Sequence, residues 1–310
     1  MRIVVALGGN ALLKRGEPPT VENQRRNVGI AAAALAPIAE VHQLVITHGS
    51  GPQVGLLALQ GAAGAPSETF PLDILDAEAE GQIGYLIEQE LRNVLGPERR
   101  CVTLLTQIEV DPEDPAFEKP TKPIGAFYGR REAQKLKQER GWSFARFGEH
   151  HRRVVPSPRP RRIFEMDVIE MLVEHGVVTI CAGGGGIPTI VTDDGRLAGV
   201  EAVIDKDFAS ALLARELRAQ AFLMLTDVDG VYAQWDEPQA RRFRRISPDR
   251  LRRFSFNPGS MGPKVEAACD FVDATGGMAG IGSLKDASAI LAGNAGTLIA
   301  KAATEIEYWD

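Results

Sequence analysis

Short apolar runs alternate along the chain with longer stretches in which apolar residues recur at helical spacing. Runs of about four to eight apolar residues are typical of strands buried on both faces of a sheet, and longer periodic stretches are typical of helices. The predicted strands are 2–7, 43–47, 101–106, 177–182, 221–226, 278–282 and 297–300. The predicted helices are 20–41, one from Pro52, 76–95, 164–175, 206–217, one from Pro263, and 285–293. This alternation predicts an α/β fold with an open, mainly parallel sheet covered by helices on both faces.

The predicted helix at 76–95 begins with acidic residues. Asp76, Glu78 and Glu80 fall in its first turn, where negative side chains interact favourably with the helix dipole. We therefore expect these three carboxylates to stabilise the start of the helix.

Residues 111–162 interrupt the alternation. This stretch is rich in proline, and between Arg130 and Arg162 it holds 11 arginine or lysine residues against 3 glutamates. A structureless loop of this length would be unusual inside a compact domain. We predict an inserted flap, or small subdomain, that protrudes from one α/β domain formed by residues 1–310.

Composition limits the class of protein. A chain of 310 residues with 44% hydrophobic content can bury a full core as one large unit or two coupled lobes. The net charge of −6 argues against nucleic acid as the main partner, and no uninterrupted apolar run approaches membrane-spanning length. The three cysteines are widely spaced and odd in number, which favours a reducing compartment. We predict a soluble, cytoplasmic protein that binds neither membrane nor nucleic acid.

Glycines cluster where the predicted parallel strands end. Gly8-Gly9-Asn10 follows the strand at 2–7, and His48-Gly49-Ser50-Gly51 follows the strand at 43–47. Four glycines at 183–186 follow the strand at 177–182, and the strand at 221–226 ends in the segment from Thr226 to Gly230. Ligands of open α/β sheets bind beyond the carboxyl ends of the strands, and glycine lets backbone N–H groups approach phosphate oxygens. Several such turns at one edge of one sheet predict an anion-binding site.

Two common nucleotide-binding motifs are missing from this chain. The P-loop pattern GxxxxGK[ST] does not occur. The run from Gly49 to Gly55 is one residue too long for the dinucleotide pattern GxGxxG, and no acidic residue ends a second strand at the expected distance. A Rossmann-type dinucleotide site is therefore disfavoured.

Three lysines stand in unusual surroundings of glycine, proline and aspartate. They are Lys122 in PTKPIG, Lys206 in VIDKDFAS and Lys264 in GSMGPK. Phosphoryl transfer requires cations that neutralise charge on phosphate oxygens, so three positioned lysines indicate that chemistry. Two of them also have an ordinary explanation: Lys122 could be an exposed flap residue, and Lys206 could merely pair with its neighbouring aspartates.

Local sequence assigns different roles to the residues around these lysines. Asp205 is placed to cap the helix that follows, so its carboxylate is predicted to be structural. Asp207, inside that helix, is better placed to orient Lys206 or another lysine. A cation near a helix N-terminus, such as Lys264, is electrostatically disfavoured unless an anion shares the site. His48 could act as a base, but a hydrogen bond that shapes its loop is the favoured role.

Nine segments, in order along nearly the whole chain, resemble carbamate kinase, a member of the amino-acid kinase superfamily. They are VALGGNA (5–11), HGSGPQVG (48–55), TQIEVDPEDPAF (106–117), PTKPIG (120–125), RRVVPSP (152–158), GGGGIP (183–188), GVEAVIDKDFAS (199–210), LTDVDGVY (225–232) and PGSMGPKVEAA (258–268). LTDVDGVY is shared widely in the superfamily, whereas PTKPIG, VVPSP and VIDKDFAS resemble carbamate kinase in particular.

The resemblance implies a three-layer α/β/α sandwich of about eight strands that forms a homodimer. It implies a carbamate-binding lobe at 1–217, with the flap at 111–162, and a nucleotide-binding lobe at 218–310. The implied reaction is reversible transfer of the ATP γ-phosphoryl group, with Mg²⁺, to carbamate, giving carbamoyl phosphate and ADP. The implied pathway is arginine metabolism, as either arginine breakdown or carbamoyl phosphate supply.

The resemblance also implies roles for individual residues, with no metal ligand among the side chains. The implied catalytic residues are Lys122, Lys206, Asp207 and Lys264. Substrate and the moving phosphoryl group would be bound by Gly8, Gly9, Asn10, Gly49, Ser50 and Gly51. The nucleotide would be bound by Lys206, Lys264, Asp227, Tyr232 and Met261.

Two departures from the family pattern leave alternatives open. The second glycine turn has Ser50 where the family has asparagine, and His150-His151 stands where many relatives have Gly-Trp. One alternative is a related enzyme that phosphorylates another small carboxylate. A second, from a different class, is a non-catalytic nucleotide-binding regulator of the same fold, against which the three retained lysines and Asp207 argue.

Overall fold

The structure is a computed structural model that describes residues 1–13, 16–18, 20–62, 70–235, 237 and 239–310, without the side chains of Asn10, Ala11 and Ala62. The helices are α1 (Gly9–Leu12), α2 (Val21–Val41), α3 (Gly51–Ala62), α4 (Leu72–Leu95), α5 (Arg130–Arg140), α6 (Met166–Glu174), α7 (Lys206–Glu216), α8 (Pro248–Leu251), α9 (Met261–Thr275) and α10 (Ala287–Leu291). The strands in the first half are β1 (Arg2–Leu7), β2 (Gln43–His48), β3 (Cys101–Thr103), β4 (Gln107–Val110), β5 (Lys122–Tyr128), β6 (Ser143–Phe147), β7 (His150–Val155) and β8 (Pro160–Ile163). Those in the second half are β9 (Val178–Ile180), β10 (Ile187–Val191), β11 (Leu197–Gly199), β12 (Ala221–Thr226), β13 (Tyr232–Ala233), β14 (Arg241–Ile246), β15 (Met278–Ser283), β16 (Thr297–Ile299) and β17 (Glu307–Tyr308).

The central sheet has the strand order β13-β14-β16-β15-β12-β1-β2-β9-β3, and β17 pairs with β14. Strands β15, β12, β1, β2, β9 and β3 pair in parallel, and β16 runs antiparallel to β15. Because β1 lies between β2 and β12, the carboxyl ends of these three strands meet at one edge. The predicted open and mainly parallel sheet is confirmed.

Helices cover both faces of this sheet, as the alternation along β1 illustrates. Ile3 and Val5 pack into a core with α2, α4 and α10, whereas Val4 and Ala6 pack into a core with α6, α7 and α9. All four side chains are fully buried. This arrangement is the expected three-layer α/β/α sandwich. Among the described helices, none combines the length and the apolar character needed to cross a membrane.

Two smaller sheets lie within and beside residues 111–162. The flap sheet has the order β5-β7-β6, and α5 connects β5 to β6. A second sheet, β11-β10-β4-β8, includes β8 at the end of the insertion. The central sheet runs without interruption across position 217, because β12 pairs with β1, so the division into two lobes stays a prediction.

Two elements differ from the expectation. Helix α4 begins at Leu72, with Asp73 as the acidic residue of its first turn, because Pro71 ends the extended chain before it. Asp76 and Glu80 therefore lie inside the helix, 2% and 1% exposed, and are not first-turn acids. Residues 241–246, where no helix or strand was predicted, form β14, in which Phe243 and Ile246 are fully buried.

Candidate active site

Glycine turns after β1 and β2 lie against each other at the carboxyl edge of the sheet. The Gly8 N–H donates to a carbonyl of β12 at 2.8 Å, and the Gly49 N–H donates to a carbonyl of β1 at 3.0 Å. A Cβ on Gly49 would lie 3.0 Å from the Gly9 nitrogen and 3.3 Å from Cδ of Lys206. Glycine at position 49 thus lets the two turns and the Lys206 side chain meet. The Asn10 side chain, predicted to bind substrate here, lies outside the described residues.

Asp205 stands at the start of α7 and uses both of its carboxylate oxygens. Oδ1 accepts the Asp207 N–H at 2.9 Å, which is the expected helix cap. Oδ2 accepts a hydrogen bond from Nζ of Lys122, which reaches in from the flap. The interpretation of Asp205 as purely structural was therefore incomplete, because its carboxylate also holds a lysine.

Asp207 joins the other two lysines. Its Oδ1 accepts from Nζ of Lys206 at 2.5 Å, and its Oδ2 accepts from Nζ of Lys264 at 2.9 Å. The Asp207 side chain is 5% exposed, and the two lysine side chains are 12% and 15% exposed. The structure thus brings Lys122, Lys206 and Lys264 to one site through two aspartates that lie two positions apart.

The two lysines that bond Asp207 differ in how far its negative charge compensates them. Burial opposes ionisation of Asp207, yet Lys206 and Lys264 hold its pKa well below the usual range. Burial lowers the pKa of Lys206 despite its contact with Asp207. Burial also acts on Lys264, but the attraction of Asp207 outweighs it and raises the pKa of Lys264. One buried carboxylate therefore serves two ammonium groups, and Lys206 is the less fully compensated of the two.

Lys264 lies in the first turn of α9, where the helix dipole disfavours a cation. Its Nζ lies 2.9 Å from Asp207 and 3.5 Å from the Ser260 carbonyl oxygen. Asp207 is thus the anion that offsets the local cost of placing Lys264 there.

The second glycine turn carries buried polar atoms that lack partners. Ser50 is 1% exposed and Gln53 is 5% exposed, and within the described part of the chain neither Ser50 Oγ nor Gln53 Oε1 makes a hydrogen bond. A buried polar atom without a partner is costly, so these atoms are natural positions for contacts to a bound ligand.

His48 shapes this turn and is poorly suited to proton transfer. Burial lowers its pKa to about 4, and nearby Lys206 acts in the same direction. Nδ1 lies 3.4 Å from the Gly49 carbonyl oxygen, and a Cβ on Gly183 would lie 2.3 Å from Nε2. The ring is therefore neutral near pH 7 and packed beneath the turn at 183–185.

Sequence reasoning missed Glu80 as a support of the site. Its Oε1 accepts the Gly183 N–H at 2.7 Å, and its Oε2 accepts the Thr106 N–H at 3.1 Å. Burial raises the pKa of Glu80 to about 8. A Cβ on Gly184 would lie 2.2 Å from Ser50 Oγ, so the turn that Glu80 holds packs directly against Ser50. The sequence shows an acidic residue at position 80 and a glycine run at 183–186. Nothing in the sequence indicates that the two are in contact.

Of the residues predicted to hold the nucleoside, Asp227 follows β12, Tyr232 begins β13 and Met261 begins α9. The hydroxyl of Thr226 donates to Asp227 at 3.0 Å, and Asp227 adds to the negative charge near Lys264. Tyr232 Oη donates to Asp229 at 3.0 Å, and the Tyr232 ring meets the Trp235 ring at 4.9 Å. Met261, the first residue of α9, is partly buried.

Comparisons with known proteins identify the family of this chain. The model of the amino acid kinase family matches residues 1–279. A carbamate kinase of Rhizobium meliloti is 55% identical over 310 residues, which cover 99% of this chain and 96% of that protein. A carbamate kinase of Haemophilus influenzae is 54% identical over 309 residues, which cover 100% of both proteins. The structure of the carbamate kinase from Giardia lamblia bound to AMP-PNP is 41% identical, with a TM-score of 0.89 over 96% of this chain and 98% of that one.

The chain belongs to the amino acid kinase family, and within that family to the carbamate kinases. It is an ATP-dependent kinase.

Proposed function

We propose that this enzyme transfers the γ-phosphoryl group of ATP reversibly to carbamate, giving carbamoyl phosphate and ADP. The observation that carries the proposal is the convergence of Lys122, Lys206 and Lys264 on Asp205 and Asp207 at the carboxyl edge of the sheet. Relatives more than half identical over nearly the full chain are carbamate kinases, and the Giardia enzyme binds an ATP analogue.

The acceptor oxygen needs no general base. A carbamate oxygen is already anionic near neutral pH, so the enzyme must hold two anions in line and neutralise the charge on the equatorial oxygens. His48, the histidine beside the second glycine turn, has a pKa of about 4 and its Nε2 is buried. In this proposal catalysis comes from lysine side chains and backbone N–H groups, and no side chain removes a proton.

Each lysine has a place in this proposal. Lys206 and Lys264 would contact the nucleotide phosphates, with Asp207 keeping both ammonium groups in position. Lys122, at the edge of the flap and 27% exposed at its side chain, would leave Asp205 and turn toward the transferring group. Gly8, Gly9, Asn10, Gly49, Ser50 and Gly51 would bind carbamate and the moving phosphoryl group through N–H groups and the Ser50 hydroxyl.

Mg²⁺ would accompany the nucleotide in this proposal. Within the described ranges, no group of three or more His, Cys, Asp or Glu side chains is placed to hold a metal ion. Both oxygens of Asp207 already accept from lysines, and Asp205 is likewise engaged. These side chains therefore fit an ion held mainly by phosphate oxygens and water, as Mg²⁺ often is, and the ion would neutralise phosphate charge.

The reverse reaction gives the sharpest test. We expect the enzyme to form ATP from carbamoyl phosphate and MgADP far faster than from acetyl phosphate. Lys206→Ala and Lys264→Ala should each lower turnover on the order of 10²–10³-fold, because each removes one preorganised donor. Rapid ATP formation from acetyl phosphate would instead favour the alternative acceptor, another small carboxylate. Nucleotide binding without turnover on either donor would favour the regulator.

We also propose that the enzyme is a homodimer that acts in the cytoplasm, in arginine metabolism. Apolar side chains on and beside α4 are exposed: Ile74 by 41%, Tyr85 by 54% and Leu105 by 52%. Such side chains are suited to an interface between copies. The three cysteines are free and buried, as expected in a reducing compartment. Light scattering of the purified enzyme would test the dimer, since a monomer mass at micromolar concentration contradicts it.

A further inference from the structure

A cavity of about 430 Å³ lies between the flap and the body of the molecule, apart from the lysine cluster. The flap contributes Trp142, Arg153 and Val155 to its wall, and the body contributes Leu72, Leu75 and Glu201, among other residues. Its size lies in the range of small-molecule sites, and its lining combines apolar side chains with the charged side chains of Arg140, Arg153 and Glu201.

Strand pairing shows which face of the flap forms this wall. Lys122 pairs with Val155 and Ile124 pairs with Arg153, and paired residues of neighbouring strands share a face. Ile124 is 1% exposed and packs in one core cluster with side chains of α3 and α4. Arg153 is therefore on the inner face of the flap, about 7 Å along the sheet from the level of Lys122.

Arg153 is a held cation without an anionic partner in contact. Its guanidinium carbon lies 4.0 Å from the centroid of the Trp142 ring, which fixes the plane of the group. Among the described residues its guanidinium group makes no hydrogen bond and no ion pair, whereas that of the neighbouring Arg152 donates to the Gly125 carbonyl at 3.0 Å. Burial lowers the pKa of Arg153 to about 10, with Glu201 acting in the opposite direction, so the group stays charged at neutral pH.

Arg140 and Glu201 are the other charged side chains of the cavity lining, and the carboxylate of Glu201 is already engaged. Oε1 of Glu201 accepts the Leu72 N–H at 3.2 Å, at the start of α4. A partly buried guanidinium with free N–H groups is costly, and a carboxylate that accepts two parallel bonds from it offsets that cost best. The apolar part of the lining, which includes Trp142, Leu72 and Leu75, favours a ligand with a hydrocarbon body.

We propose that this flap cavity binds a small organic carboxylate, which Arg153 holds by paired N–H···O bonds while the apolar body of the ligand packs against Trp142, Leu72 and Leu75. The site is separate from the one that holds carbamate and nucleotide, since none of the three lysines lines it.

Benzoate and benzamide are matched probes, because they share a ring and differ in charge. We expect calorimetric titration of the full-length enzyme to show benzoate binding at least about tenfold more tightly than benzamide. Arg153→Gln should bring the two affinities to within about twofold of each other. Arg153→Lys, which keeps the charge but loses the planar pair of donors, should give an intermediate ratio and serves if Arg153→Gln does not fold.

Two control variants test whether benzoate binds at Arg153. Arg146→Gln removes an exposed flap charge and should leave the preference for benzoate unchanged. Lys206→Ala should also leave it unchanged, whereas loss of benzoate binding in that variant would place the anion at the lysine cluster and overturn the proposal. Equal binding of the two probes to the unmodified enzyme, no binding of benzoate, or a preference retained in Arg153→Gln would overturn it as well. Because these titrations need no turnover, their outcome is independent of the proposed reaction.

Discussion

At the scale of single residues, Asp207 is the side chain on which the arrangement of the site depends. It is 5% exposed and accepts a hydrogen bond from one ammonium group at each oxygen, at 2.5 and 2.9 Å. Removing one partner of a buried charged pair leaves the others uncompensated, which costs more than the pair itself contributes. Here two cations would be left facing each other.

We expect Asp207→Asn to lower turnover on the order of 10²–10³-fold, because the lysines would no longer be held toward the phosphates. It should also destabilise the free enzyme, because Lys206 and Lys264 would repel each other without an anion between them. In the proposed binding mode MgADP would supply negative charge at the same place, so it should raise the melting temperature of the variant more than that of the unmodified enzyme. Thermal unfolding with and without MgADP measures this difference.

Asp194→Asn is the matched control, because Asp194 pairs with Arg196 at the surface, where both side chains are more than half exposed. Its melting temperature should stay close to that of the unmodified enzyme. An Asp207→Asn protein with unaltered stability and no added response to MgADP would show that the lysines are held by something else.

At the scale of elements, Glu80 connects three parts of the chain. It projects from α4, accepts an N–H group between β3 and β4, and accepts another from the 183–185 turn after β9. That turn packs against His48 and Ser50 on one side, and a Cβ on Gly185 would lie 2.3 Å from the Ile204 carbonyl oxygen, just before Asp205. Through the 183–185 turn, Glu80 thus supports both the second glycine turn and the start of α7.

The raised pKa of Glu80 predicts how stability depends on pH. Below about pH 4.5 the group is protonated in the folded and unfolded states, and above about pH 8 it is ionised in both. Between these values the folded state binds more protons, so the free energy of unfolding falls as pH rises. Burial also raises the pKa of Asp76, which acts in the same direction. His48, with a pKa lowered to about 4, acts oppositely, but only below about pH 6.5.

Denaturant unfolding between pH 6.5 and 8.5, the window set by these shifts, should therefore show declining stability. Glu80→Gln keeps one acceptor and places an amide against the other N–H, so we expect it to cost about 1–3 kcal/mol at the lower pH. The difference between the two proteins should shrink toward the higher pH. Glu78→Gln, which changes an exposed residue of the same helix, should follow the unmodified enzyme. Parallel curves for the unmodified and Glu80→Gln proteins would contradict a raised pKa.

Elements with a strong apolar pattern were predictable, and those defined by tertiary contacts were not. The run at 221–226 forms β12 at those bounds, and the helix predicted at 20–41 is α2 (Val21–Val41), which Thr20 caps. Strand β14 was missed because four of its six residues are arginines, and its two buried residues, Phe243 and Ile246, do not form an apolar run. The start of α4 was placed four residues late because a buried acid and a first-turn acid look alike in sequence.

At the scale of the whole molecule, the flap meets the body through two glycines. A Cβ on Gly55 of α3 would lie 1.9 Å from the Cα of Gly125 in β5, so the two backbones touch. Gly125 also has a φ of 68°, a conformation that other residues adopt only with strain. Lys122 lies three positions before Gly125, so this contact sets how far the flap lysine reaches.

Gly55→Ala should push β5 away from α3 and withdraw Lys122 from the site. We expect turnover to fall on the order of 10–10²-fold, since a displacement of about 1 Å is enough to misalign reacting groups. Steady-state assays in both directions would measure this. Gly129→Ala is the matched control in the flap, because its Cβ meets nothing within 4 Å. Gly55→Ala with unaltered kinetics would show that the flap tolerates displacement.

The whole site could be predicted only in part from the sequence. The lysines stood out because glycine, proline and aspartate surround them, and the parallel strands indicated which edge they share. That Asp205 would bond Lys122, or that Glu80 would hold the 183–185 turn, depends on contacts across 83 and 103 positions of the chain. Local sequence carries no signal for such pairings.

The carboxylate of Asp205 accepts one hydrogen bond from Lys122 of the flap and one from the backbone at the start of α7. While Lys122 is docked there, the aspartate is neutralised. If Lys122 moves to a phosphate as proposed, Asp205 would be left with an uncompensated negative charge. That charge would repel an anionic product and attract the lysine back, so each departure of product would restore the resting state of the enzyme without any further trigger.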